Sequence, residues 1–146
     1  SRSRRQRQMC IRDRYMICTL SKHEAEKQGY TDSLMLDHEG YVAEATGANI
    51  FFKDKDGTLH TPIPDSFLDG ITRRTVIEIA NSMNIKVNER KIKPEELKNF
   101  VGCFLTGTAA EVTPVSQIDK FNYKVCNTII QLSESYQQTV RKKKAA

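Results

Sequence analysis

Long apolar runs are missing from this chain. Stretches such as Ile50 to Phe52 and Cys103 to Leu105 fall far below the roughly 20 residues a helical membrane span needs, and no apolar core follows the basic start as it would in a secretion signal. A cytoplasmic protein with no membrane partner is therefore expected. Cysteine is scarce: Cys10, Cys18, Cys103 and Cys126 form no C-x-x-C pair and have no histidine at ligand spacing. That excludes a zinc site or a disulfide framework and predicts reduced, partly buried thiols. Proline is scarce as well, at four residues, while hydrophobic residues make up 38% and charged residues 28%, which is the balance of a folded body rather than a disordered chain. A length of 146 residues suits one ordinary domain and is small for a complete multi-domain enzyme.

Nor does the body carry a surplus of charge of either sign. The net charge of +5 sits in residues 1 to 14, where Arg2, Arg4, Arg5, Arg7, Arg12 and Arg14 face only Asp13. Six of the 23 basic residues and one of the 18 acidic residues lie there, so 17 of each remain for residues 15 to 146. Without a basic stripe on the body, a phosphate-backbone partner such as nucleic acid is not expected. The segment SRSRRQRQMCIRDR is all arginine where the body is rich in lysine, and it resembles translated adapter sequence. It is set apart from the fold, as foreign residues or a disordered arm. The closing run Arg141 to Lys144 reads as a solvated helix end, where cations suit the last carbonyls.

What the body does carry is periodic. Ile17, Leu20 and Ala25 lie near one face of a helix expected from Tyr15 to Gln28, with Gly29 placed as its C-cap. Ser33 to Asp37 and Tyr41 to Glu44 flank the turn His38-Glu39-Gly40, and Asn49 to Lys53 and Thr58 to Thr61 flank Asp56-Gly57. Both read as β-hairpins, so the first half is mainly antiparallel sheet. An amphipathic helix follows from Gly70 to Met83, then a strand from Ile85 to Lys91 and a short helix opened by Pro94. Strands over Cys103 to Leu105 and Val112 to Ile118 precede a terminal helix from Val125 to Lys143.

Two of these segments have the physics of an anion cradle. Gly70-Ile71-Thr72 starts a helix, where free backbone N–H groups and the positive end of the dipole favour a phosphate. Thr106-Gly107-Thr108-Ala109 is a turn of small residues whose amides and hydroxyls can converge on oxygen anions. Each is by itself compatible with a plain N-cap or a plain turn. Glu44 stands out in the small, apolar stretch Val42 to Gly47 and is either a buried carboxylate with a partner or an outward-facing strand residue in water.

These residues carry a resemblance. GYVAEATGANIFF (Gly40 to Phe52), Leu59-His60-Thr61, LDGITRRTVI (Leu68 to Ile77) and LTGTAAEVTPV (Leu105 to Val115) together resemble the class IV aminotransferases, which use pyridoxal 5'-phosphate, and among them the branched-chain amino acid aminotransferases. The likeness covers Tyr15 to about Tyr136. It implies an α+β fold with a mostly antiparallel or mixed sheet and flanking helices, corresponding to the large C-terminal domain of the D-amino-acid-aminotransferase-like fold. Residues 15 to 146 would be that domain, with the small N-terminal domain missing and the cofactor lying between the two. It further implies transamination between branched-chain L-amino acids and 2-oxoglutarate by a homodimer or higher homo-oligomer.

Residue by residue, the resemblance gives Glu44 the role of holding the pyridine nitrogen protonated and Tyr15 that of hydrogen-bonding the ring oxygen. Ile71, Thr72 and Thr108 would hold the phosphate, and Thr108 with Ala109 the substrate carboxylate. One departure is central. The family's Schiff-base lysine stands five residues before the tyrosine, and here that position is Cys10; no lysine precedes Lys22. Cysteine offers no primary amine for either covalent attachment or proton transfer, so the chain is expected to be catalytically dead. The alternatives are a noncatalytic binding module with a basic arm or, within the superfamily, a D-amino acid aminotransferase or an aminodeoxychorismate lyase.

Overall fold

The computed structural model describes residues 15–18, 26–27, 29–64, 70–108 and 110–145. Among these residues nine strands form one sheet: β1 (Tyr15–Cys18), β2 (Asp32–Leu36), β3 (Val42–Ala45), β4 (Asn49–Lys53), β5 (Leu59–Thr61), β6 (Val87–Glu89), β7 (Gly102–Gly107), β8 (Glu111–Ile118) and β9 (Phe121–Asn122). Helix α1 (Ile71–Ser82) precedes β6, a 3₁₀ helix (Pro94–Asn99) precedes β7, and α2 (Asn127–Ala145) closes the chain. The strand order is β3-β2-β1-β8-β7-β4-β5-β6, with β9 paired to β8. Pairings β1–β2, β1–β8 and β5–β6 are parallel, and the others antiparallel. This is the mixed α+β sheet with flanking helices that the sequence predicts. No helix among the described residues is long and apolar enough to cross a membrane.

The helix expected from Tyr15 is the exception. Tyr15–Cys18 is a strand in the middle of the sheet, with parallel neighbours on both sides, and only Glu26 and Lys27 among the described residues of that span are helical. A strand flanked in parallel on both edges reads as a short apolar run, and periodicity alone cannot tell such a run from a helix segment.

Alternation along the strands sorts the core into two layers. Ile50 and Phe52 of β4 and Cys103 and Leu105 of β7 point to one side, where they meet Leu34, Val42, Val115, Ile118, Ile92, Leu97 and Phe100. Phe51 and Phe104 point to the other, against Val76 and Ala80 of α1 and Ile129 and Leu132 of α2. Their rings stack at 4.9 Å, as do those of Phe52 and Phe100 at 4.8 Å. The sheet also curls: the Val42 N–H of β3 donates to the Ile92 carbonyl, 2.8 Å, joining one end of the strand order to the segment that follows β6 at the other.

Both expected hairpins form, and both turn by the same device. In Asp37–Gly40 the Asp37 Oδ1 accepts from the N–H of Glu39 and Tyr41, each at 2.9 Å. In Asp54–Gly57 the Asp54 Oδ1 accepts from the N–H of Asp56 at 2.9 Å and Thr58 at 3.0 Å. Gly57 has φ +88°, a left-handed conformation that other residues adopt at a cost.

Candidate functional site

Register and turn chemistry bring the candidate residues together. The β4–β7 pairing sets Asn49 opposite Thr106, and β3 enters the same end of the sheet through the turn at Thr46 and Gly47. Helix α1 begins above them. The result is a cleft of about 240 Å³ lined by Glu44, Gly47, Ala48, Asn49, Gly70, Ile71, Thr72, Thr106, Gly107 and Thr108. Of the residues singled out in the sequence, Glu44, Ile71, Thr72 and Thr108 meet here. Tyr15 heads β1, where its backbone pairs with Val115 of β8. Cys10 and Ala109 lie outside the described residues.

The helix end on this cleft is open. Its N-cap, Gly70, is extended at φ −68° and ψ 149° and offers no side-chain cap, and the first turn of α1 carries no acidic residue. The Ile71 and Thr72 N–H groups therefore have no partner among the described residues, and no acidic residue of the first turn neutralises the positive end of the dipole. Ile71 is 73% exposed, so no described residue covers the helix start. Thr72 is buried, its Oγ1 lying 3.4 Å from the Tyr136 hydroxyl of α2. Arg73 is buried too: its Nη2 donates to Glu89 Oε1 at 2.6 Å and to the Pro62 carbonyl at 3.0 Å, which anchors α1 to β6.

On the sheet side, the Thr106 hydroxyl is fully buried and has no hydrogen-bond partner among the described residues. Thr108, at the exposed end of the turn, completes that wall. The two glycine turns are in close contact, since a Cβ on Gly107 would lie 3.1 Å from the Gly47 carbonyl oxygen. The turn before β4 is held from below by Asp32, whose Oδ1 accepts both the Thr46 hydroxyl and its neighbour's N–H on Ser33, the latter at 2.7 Å.

Glu44 is half-buried between the buried Ala43 and Ala45, and its carboxylate makes no hydrogen bond or ion pair to another described residue. Burial raises its pKa above the ordinary 4.5. Such a carboxylate gains from a hydrogen-bonding cation brought into the cleft, because a positive neighbour restores what desolvation takes away. No cluster among the described residues could hold a metal ion.

Of the other lining residues, Thr106 belongs to the small-residue turn that the sequence marks as an anion cradle, whereas Asn49 carries no such mark. Asn49 is a polar residue at the head of the otherwise apolar strand NIFF, and that interruption is the signal that could have found it.

The opposite end of β4 carries ionisable groups of another kind. Arg90 Nε donates to His60 Nδ1 at 3.0 Å, so the ring's other nitrogen, Nε2, donates to Asp54 Oδ2 at 2.7 Å. Arg90 also pairs with Glu96 through Nη2 at 2.7 Å. Hydrogen bonds from Arg90 chiefly, outweighing burial, hold the Glu96 carboxyl below its ordinary range.

The comparisons agree with this geometry. The family model described as "Amino-transferase class IV" matches residues 2–118. A probable branched-chain-amino-acid aminotransferase of Rickettsia felis is 53% identical over 111 residues, covering 76% of this chain and 38% of that protein. The solved branched-chain aminotransferase of Thermoproteus uzoniensis with norvaline superposes with a TM-score of 0.77 at 39% identity, over 81% of this chain and 40% of that one. The solved branched-chain amino acid aminotransferase of Escherichia coli gives 0.77 at 33% identity, over 82% and 41%. A further branched-chain amino acid aminotransferase, solved with pyridoxamine 5'-phosphate, gives 0.80 at 33% identity, over 86% and 50%. The chain thus spans about two fifths of the Rickettsia relative's length. In sequence and in fold, this chain belongs to the class IV aminotransferases.

Proposed function

We propose that the cleft holds pyridoxal 5'-phosphate and that the whole protein is a transaminase working between branched-chain L-amino acids and 2-oxoglutarate. The observation that carries this reading is the convergence on one cleft of a helix start with no side-chain cap, a half-buried carboxylate and a buried hydroxyl, the last two without a partner among the described residues. The residues fit the group. A phosphate suits the free N–H groups at Ile71 and Thr72 and the turn at Thr108, and a protonated ring nitrogen suits Glu44. The norvaline and pyridoxamine phosphate named for two of the solved relatives support the same assignment.

When bound, the cofactor supplies an electron-withdrawing ring that stabilises negative charge on the substrate's α-carbon. The chain's own part is to hold and orient. Glu44 keeps a proton at the ring nitrogen, Tyr15 donates to the ring oxygen, and the amides of Thr108 and Ala109 take the substrate carboxylate. Residues 15 to 146 act as the family's large domain, with residues 1 to 14 as an arm outside it and the cleft's second wall coming from elsewhere in the whole protein. Homodimeric assembly and a cytoplasmic location belong to the same reading.

The chain as it stands is inactive on this reading, because Cys10 occupies the place of the amine that must bond the cofactor and move the proton. The test is to mix it with pyridoxal phosphate, reduce with borohydride and map the peptides. Reversible binding without a labelled lysine, and no transamination of leucine, isoleucine or valine, is expected. One lysine labelled stoichiometrically would overturn the inactivity, and absence of any binding would overturn the cofactor site.

A further inference from the structure

Helix α1 starts without either of the usual devices. An N-cap Ser, Thr or Asp takes up the N–H of the second or third helical residue with its own side chain, and in a capping box a Glu at the third position turns back to the N-cap N–H. Here the N-cap is Gly70 and the third helical residue is Arg73, a cation whose guanidinium is turned away to Glu89 and Pro62. The N-cap N–H is nevertheless satisfied: the Gly70 N–H donates to Asn49 Oδ1, 3.3 Å away on the first residue of β4.

We infer that Asn49 is a positioning residue, a neutral acceptor supplied by the sheet that fixes the first turn of α1 while leaving the Ile71 and Thr72 N–H groups for a phosphate monoester. Three observations agree. Asn49 is only 5% exposed, so its amide sits in a defined place under the helix. A Cβ at position 70 would come within 2.8 Å of Asn49 Oδ1, so this approach requires glycine at the N-cap. Asn49 is also the cross-strand partner of Thr106, whose hydroxyl is fully buried and lacks a partner among the described residues, and both line the cleft. Charge explains why the acceptor is an amide. An aspartate would accept the same N–H but would place a negative charge beside the anion that the helix end attracts.

The inference rests on the cofactor reading for the identity of the anion, and the test separates the two. The full 146-residue chain, labelled with ¹⁵N, is followed by amide exchange at Gly70 and by titration with inorganic phosphate and pyridoxal phosphate. In Asn49→Ala, Gly70 exchange should quicken about tenfold and the phosphate Kd should rise roughly three- to tenfold, with exchange in α2 unchanged. Asn49→Asp should keep Gly70 protected yet raise the phosphate Kd about tenfold. Gly70→Ala should weaken phosphate like Asn49→Ala, and the double variant should be no weaker than either, since Cβ and Oδ1 compete for one space. Unchanged Gly70 exchange in Asn49→Ala, or full phosphate affinity in Asn49→Asp, would overturn the inference. If Asn49→Ala does not fold, the Asn49→Asp and Gly70→Ala pair decides it. No phosphate response in the unsubstituted chain would instead remove the cofactor reading, and Gly70 exchange in Asn49→Ala would still decide whether Asn49 holds the helix start.

Discussion

The two hairpin turns and the rim of the cleft are built from similar residues and use them in opposite ways. At Asp37–Gly40 and Asp54–Gly57 the aspartate oxygens take up the turn's own amides, and Asp54 also holds His60. Around the cleft, α1 has no side-chain cap, and the Thr106 hydroxyl and Glu44 carboxylate have no partner among the described residues. Groups satisfied within the chain fix its shape; groups left over mark where another molecule belongs.

The strongest way to break this comparison is to empty the packed region that both share. Phe104→Ala removes a fully buried ring stacked on Phe51 and should cost about 3–5 kcal/mol in denaturant unfolding, enough to disorder the cleft as well. A loss below about 1 kcal/mol would show that the site has a scaffold other than this core.

Next comes Glu44. In a reconstructed full-length enzyme with lysine restored at position 10, Glu44→Gln should lower kcat on the order of 10²-fold, about 3 kcal/mol of transition-state stabilisation, while cofactor retention changes little. Near-normal turnover in half-reaction kinetics would make Glu44 an ordinary strand residue.

The acid limb of the stability curve distinguishes the two regions by sign. Burial would raise the Asp54 carboxyl, but hydrogen bonds from His60, Thr58 and Asp56 outweigh it and bring its pKa below the ordinary 3.8. Its stabilisation is therefore complete above that ordinary value and lost as pH falls through the lowered one. Glu44 runs the other way, since its raised pKa favours the protonated form, and its contribution is complete below 4.5 and lost as pH rises. Asp54→Asn should flatten the loss of stability on acidification, whereas Glu44→Gln should raise stability at neutral pH, both read from urea midpoints between pH 3 and 7. Identical profiles for the two variants would erase the distinction.

The smallest effect is the most specific. Thr106→Val replaces an unpartnered hydroxyl with a methyl of similar shape and should leave stability unchanged or higher by about 1 kcal/mol, because no hydrogen bond to a described residue is lost. A clear loss in thermal unfolding would mean the hydroxyl is satisfied within the chain.

Legibility in the sequence followed the same division. The hairpins, α1 and α2 could be read because turn residues and apolar spacing act locally, and Glu44, Ile71, Thr72 and Thr108 could be named from their motifs. Tyr15–Cys18 could not, because its strand identity depends on β8, about a hundred residues away in sequence. Asn49 escaped for a related reason: its role depends on the register of β4 against β7 and on where α1 begins, which its own segment does not encode.

The central place of β1 has a consequence for how the chain matures. Tyr15–Cys18 lies between β2 and β8, so the earliest described strand completes the sheet only after Ile118 has been made. Until then β1, which can already pair with β2, presents its other edge to any other extended chain, and the closing contact spans most of the sequence. A closing contact of such sequence separation favours slow assembly, and the most vulnerable interval is the one in which the edge of β1 waits for β8.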